Sequence, residues 1–175
     1  MARKKKKTVG DGLVVRGFYR VAVYDYGPNG EPNYRIASDS GICGPNQITN
    51  IGYQNIAYQI AGSNAASLAS YAAVGTGTTP ASNTGGLPGE IVQVSNNRGL
   101  CTLSISGSNT VQWVASWGSS SFQSSTSAVV IQNAGLYAFS QTSNQSLICG
   151  KIYATQTWAS NQSCALTYQM VLSSA

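Results

Sequence analysis

The chain has 175 residues, enough for one domain with a sizeable core and too few for two comfortable ones. Ten Lys and Arg against five Asp and Glu leave a net charge of +5, and five of the positive charges are Arg3, Lys4, Lys5, Lys6 and Lys7, so the rest of the chain sums to zero. There is no histidine, and Cys43, Cys101, Cys149 and Cys164 lie far apart without a CxxC pair, so a metal centre, a cofactor and enzymatic acid-base chemistry all lack material.

Residues 1–12, MARKKKKTVGDG, read as a basic arm, disordered by itself because like charges repel and nothing apolar is available to bury. Its functional reading is a tether to an acidic surface, either nucleic acid or an acidic protein patch, with salt-sensitive binding through counterion release. The alternative is a solvated, solubilising tail. The basic start runs into Thr8, Gly10 and Asp11 rather than an apolar stretch, so no secretory leader is expected, and no run approaches membrane-spanning length.

Residues 13–175 read as a single β-rich domain. The run 13–26, LVVRGFYRVAVYDY, is β-branched and aromatic and predicts one long bent strand or a strand pair, with Gly17 marking a bulge. Residues 26–34 form a turn, Asn29-Gly30 supplying positive φ angles. Asp25, Glu31 and Asn29 could hold a calcium ion there, although two carboxylates on a turn are usually only solvated. After a short strand at 34–37, residues 46–62, NQITNIGYQNIAYQIAG, predict the single helix: Ile48, Gly52, Ile56 and Ile60 share a face, Asn46 is placed as N-cap, and Gly62 as stop. The helix carries no charge, so its outer face is expected to pack on a sheet or a neighbour.

Residues 71–90, YAAVGTGTTPASNTGGLPGE, predict strand, wide loop, strand, with the loop acting as a hinge between two halves of the domain. Gly75-Thr76-Gly77 suggests a phosphate loop, but that motif needs a Lys and a following helix, and Pro80, Gly85, Gly86 and Pro88 forbid the helix. Further strands are expected at 90–94, 100–105, 110–117, 128–131, 136–139, 147–154 and 165–172, separated by Ser, Asn and Gly turns. Residues 106–109 join two of them as a hairpin, in which Cys101, Leu103 and Ile105 alternate with Thr102 and Ser104, and Val111, Trp113, Ala115 and Trp117 with Gln112 and Ser116, Val114 breaking the rule. Cys101, Cys149 and Cys164 alternate with apolar residues as buried free thiols, with a Cys149–Cys164 bridge as the alternative. The expected fold is all-β, an antiparallel sandwich or jelly roll with one short helix.

The ordered set Ile48-Thr49-Asn50-Ile51-Gly52, Tyr71 to Ala81 (YAAVGTGTTPA), Leu87 with Glu90, and Ile131 to Tyr137 (IQNAGLY) resembles small structural proteins of tailed bacteriophages and prophages. Those carry an N-x-G helix, a GTGTT loop, an L-x-x-E step and an EAGLF strand. The likeness covers about residues 45–175. Two positions depart from it: Asn133 stands where the acidic residue of EAGLF is usual, and Gln93-Val94 follows Glu90 where an Arg is usual, Arg98 arriving late. If Glu and Arg form a buried pair in that group, this chain has replaced or moved it.

The resemblance implies a virion component without an active site, partnered by capsid or tail subunits and by copies of itself. A capsid decoration or cement protein, docked with help from the basic arm, is the first expectation. A tail-fibre or receptor-binding module is the second, using loop 118–127 and the aromatics Tyr137, Tyr153 or Trp158 on host glycans, although each of these also fits a strand core or an interface. A small jelly-roll coat protein whose Lys-rich arm binds packaged nucleic acid is the third.

Overall fold

The structure, a computed structural model, describes residues 13–62, 69–91, 98–118, 128–143 and 145–174. The expected basic arm, including Arg3 and Lys4 to Lys7, lies outside the described residues, as do residues 119–127. Ten strands and one helix follow in the order β1 (Leu13–Asp25), β2 (Arg35–Asp39), β3 (Gln47–Ile48), α1 (Asn50–Ile60), β4 (Tyr71–Gly75), β5 (Gly99–Leu100), β6 (Thr102–Ser106), β7 (Thr110–Trp117), β8 (Val129–Tyr137), β9 (Leu147–Trp158) and β10 (Gln162–Ser174). They form two five-stranded sheets with orders β2-β1-β10-β7-β6 and β3-β9-β8-β4-β5, every pairing antiparallel. The all-β sandwich with one short helix is the observed fold.

The spine is the pair β1·β10, in register from Leu13↔Ser174 to Asp25↔Gln162. The first strand of the domain is thus zipped to its last. Alternation puts Tyr19, Val21 and Val23 on the inner face, beside Tyr168, Leu166 and Cys164 of β10 and Trp113, Ala115 and Trp117 of β7, all buried. Tyr19 and Tyr168 stack with ring centroids 4.6 Å apart, and Trp113 follows 5.4 Å from Tyr168, so an aromatic row crosses the sheet. From the opposing sheet Ile131, Leu136, Ile148 and Trp158 close the core.

Several local expectations are corrected. Gly17 makes no bulge, since the β1·β10 register runs through Gly17↔Met170 unbroken. A side chain there would collide with Asn46 and the Tyr168 hydroxyl, so the position needs glycine for close approach. In the turn, Gly30 (φ 81°) and Asn33 (φ 59°) hold the positive angles, and Asn29 does not. The run 100–105 is two strands: the chain leaves one sheet after Leu100 and joins the other at Thr102. The strands expected at 128–131 and 136–139 are one strand, Val129–Tyr137, because Asn133 to Gly135 stay paired between β4 and β9 and the unpaired Gln132 is absorbed as a register shift between Ile131 and Asn133. The loop 75–90 is no hinge, since strands before and after it intermix in both sheets.

The helix starts later than expected. Its N-cap is Thr49, whose buried side chain accepts from the Gly52 amide at 3.0 Å and donates to the Leu147 carbonyl of β9. This bond anchors the helix to the sheet, and Gly52 sits where a methyl group would strike the Ile148 carbonyl. Gly52→Ala should therefore lower unfolding stability by about 1–3 kcal/mol in urea titration, the helix having to lift from β9.

Candidate interaction surface

The strongest polar constellation is inside the molecule. Glu90 follows the Leu87-Pro88-Gly89 turn and bridges to Gly75 at the end of β4. Arg98 lies just before β5, and its guanidinium meets Glu90 in a two-pronged pair, Nε to Oε1 at 2.8 Å and Nη2 to Oε2 at 3.1 Å. Nη1 donates to the carbonyls of Phe139 (3.2 Å) and Gln141 (2.9 Å), and the plane lies 3.4 Å from the centre of the Tyr137 ring. The Tyr137 hydroxyl donates to Glu90 at 2.8 Å and accepts from the Leu87 amide at 2.7 Å. Burial, and then the Glu90 carboxylate, push the Tyr137 phenol well above its ordinary value, so it stays protonated as a fixed donor. The Arg98 side chain is 1% exposed. The acid and the base of the L-x-x-E step are therefore paired here after all, the late Arg reaching Glu90 from eight residues on.

Asn133, at the second departure, holds the wide loop. Its Nδ2 donates to the carbonyls of Thr78 (3.0 Å) and Pro88 (2.8 Å), closing both sides of the loop onto β8, while Gln132 donates to Thr76 at 2.7 Å. A carboxylate at 133 could not supply those donors.

This cluster determines what is left outside. From Gly41 to Ala175 the charged side chains are Glu90, Arg98 and Lys151, and with the first two buried against each other Lys151 alone remains to charge the surface of that long stretch. Other described ion pairs, Arg20–Asp39 and Arg35–Asp25, both 2.7 Å, sit together on the β1·β2 flank. The Arg partners hold both aspartates below their ordinary values, the Gln162 amide contributing first at Asp25. Away from that flank the surface presents Tyr53 and Ile60 on α1 and Leu100, Leu103 and Ile105 around β6. A groove of about 270 Å³ between α1 and the first sheet is walled by Ile56, Ile60, Trp113, Ile148 and Met170.

The aromatics expected to meet glycans are elsewhere. Tyr137, Tyr153 and Trp158 are buried at 0%, 7% and 2% exposure: Tyr153 and Trp158 belong to the core between the sheets, and Tyr137 packs with Ala73, Leu87 and Leu147 on the face of β8 opposite Leu136. Leu103 and Ile105, the apolar positions that alternate with Thr102 and Ser104, are 53% and 77% exposed. They do lie in the inner rows opposite Trp113 and Val111, but at the last strand of the sheet, where the second sheet no longer covers them. In the turn, Asp25 is engaged by Arg35 and Gln162 and Glu31 by Asn29, so neither carboxylate is turned toward a common point. All four cysteines are free. Cys149 and Cys164 lie in different sheets, and burial raises the thiols of Cys149, Cys164 and Cys101, the last to about 12.

No family model, curated protein or solved structure matches this chain. Among the described residues no helix is long and apolar enough to cross a membrane, and no His, Cys, Asp and Glu cluster could hold a metal ion.

Arg98→Ala strands Glu90 in a nearly dry site, and the variant should lose about 3–5 kcal/mol of unfolding free energy in urea. Asn133→Asp turns two donated bonds into carboxylate against carbonyl and should cost roughly 3 kcal/mol at neutral pH. The folded variant favours the protonated acid, so it binds more protons than the unfolded chain below neutrality. Its deficit relative to the parent should therefore shrink as the pH falls through the raised folded value, which parallel urea titrations from neutral to acid pH would show.

Proposed function

We propose that this chain is a structural component of a tailed-bacteriophage particle, a capsid decoration or head-associated protein held by neighbouring subunits. The observation that carries the reading is the withdrawal of charge: Glu90 and Arg98 bury each other, and a surface with Lys151 as its remaining charge after residue 41 keeps Tyr53, Ile60, Leu100, Leu103 and Ile105 exposed. A free monomer of that kind has weak colloidal protection, whereas a subunit covered by neighbours needs none. The resemblance in the helix, GTGTT loop and AGLY strand points the same way. So does the arm, whose Arg3 and Lys4 to Lys7 would add salt-dependent attraction to an acidic neighbour.

The tail-fibre alternative is weakened, since the aromatics it would use are buried. The coat-protein alternative rests on the arm alone and differs in where the arm points.

The test is to purify particles from cells carrying the gene and locate the chain by cryo-electron microscopy, with the full chain and with a deletion of residues 2–9. Density on the outer shell, with occupancy that falls as salt rises and a weaker, flatter salt dependence for the deletion, is the expected outcome. Particles lacking the chain overturn the reading, and an arm directed into the lumen replaces it with the coat-protein one.

A further inference from the structure

The two ends of the first sheet are treated differently. At one end, β2 carries Arg35 and Asp39, locked to Asp25 and Arg20 of β1, and charged side chains on an edge strand discourage further pairing. At the other end, β6 reads Thr102-Leu103-Ser104-Ile105-Ser106, with every residue exposed and none charged, and no described strand pairs with its outer edge. Half of its backbone donors and acceptors therefore point outward, and a strand is the partner whose spacing matches them.

From the β6 edge we infer that this chain self-associates by antiparallel pairing of β6 with β6 of a second copy, about a two-fold axis through Ser104. In that register Ser104 faces Ser104 once, on the axis, while Leu103 faces Ile105 and Thr102 faces Ser106, each of these contacts occurring twice. The alternation of the strand is symmetric about Ser104, so apolar meets apolar and hydroxyl meets hydroxyl. Leu103 already lies opposite Trp113 and Ile105 opposite Val111 within one copy, so the pairing makes an unbroken apolar row from one copy into the next.

Charge selects this occupant. A two-fold axis pairs positions equidistant from it, and on β6 every such pair is uncharged and matched in kind, whereas on β2 Arg35 and Asp39 are already engaged by Asp25 and Arg20 of their own chain. A head-to-tail arrangement of β6 on β2 of the next copy would set Leu103 and Ile105 against Arg35 and Asp39. Five residues of strand bury less than the roughly 1,200 Å² a stable free complex needs, so the solution dimer is weak and short-lived. The inference stands on the strand edge and goes beyond any role on a particle.

The register makes it testable by disulfide trapping. Facing residues of an antiparallel pair have Cα atoms about 4.5–5.5 Å apart, within disulfide reach, while residues four along the strand from their match are too distant. In a full-length Cys43→Ser, Cys101→Ser background that retains the two buried cysteines, Ser104→Cys should form a dimer under mild copper-phenanthroline oxidation on the order of tenfold faster than Thr102→Cys or Ser106→Cys alone. Mixing the Thr102→Cys and Ser106→Cys chains should restore fast trapping. Near-ultraviolet circular dichroism identical to that of the parent establishes that each variant is folded. Equal rates for all three single variants, or no trapping at Ser104→Cys, would overturn the inference. Particles that lack the chain would leave this result untouched.

Discussion

The constraint on which the structure rests is the burial of Arg98. A guanidinium taken out of water needs its donors matched, and here Glu90 takes two, the Phe139 and Gln141 carbonyls take others, and the Tyr137 ring covers the face. Four stretches that are far apart in sequence are tied at one point: the turn before Glu90, the segment entering β5, the end of β8 and the loop beyond it. The Tyr137 hydroxyl completes the knot by holding the Leu87 amide and the Glu90 carboxylate at once. Asn133 adds a second fastening four residues earlier on β8, so side-chain amides join the apolar packing of Leu87 on Ala73, Tyr137 and Leu147 in holding the loop against that strand.

That arrangement also governs the exterior. The loop is held by buried Leu87, by the Gln132 and Asn133 amides, and by the Glu90–Arg98 pair, which takes two of the three charges available after residue 41. Tethering the loop and stripping the surface of charge are thus one event. What remains outside is amide, hydroxyl and isolated apolar side chains, a surface suited to close contact with another protein and poorly suited to free solution at high concentration.

Much of the fold was legible in the residues. The alternation of Val111, Trp113, Ala115 and Trp117 marked β7 to the residue, and the β-branched run at 13–26 became the long spine strand. Errors arose where a tertiary contact overrides a local pattern. Gln132-Asn133-Ala134-Gly135 looks like a strand break because the cues for a break are short and polar, but Asn133, Ala134 and Gly135 sit paired between two strands while the Gln132 and Asn133 amides reach the loop. Leu103 and Ile105 alternate as core residues should, and they do point inward, yet periodicity carries no information about how far the opposing sheet extends. Tyr137 and Trp158 fit a strand core or interface as well as a sugar-binding face, because aromatic residues suit both settings, and only packing decides: Trp158 is covered between the sheets and Tyr137 by the 75–90 loop. The Glu90–Arg98 pair was visible as two isolated charges in an uncharged stretch, but not as a pair, since the spacing departs from the pattern the chain otherwise resembles.

The remaining charges give the molecule a direction. Arg20, Arg35, Asp25 and Asp39 cluster where β1 meets β2, and the basic arm enters the domain at Leu13, the start of the same β1. The opposite flank, at β6, is bare. One edge of the first sheet is therefore charged and the other exposed but uncharged, and the two are separated by the width of that five-stranded sheet. On the proposed reading, such a gradient would let neighbours orient the body without a deep pocket or a large interface, charge acting at long range and strand pairing and apolar contact at short range. Charge economy in the sequence thus becomes polarity in the shape, and polarity is what a part needs in order to be placed one way round.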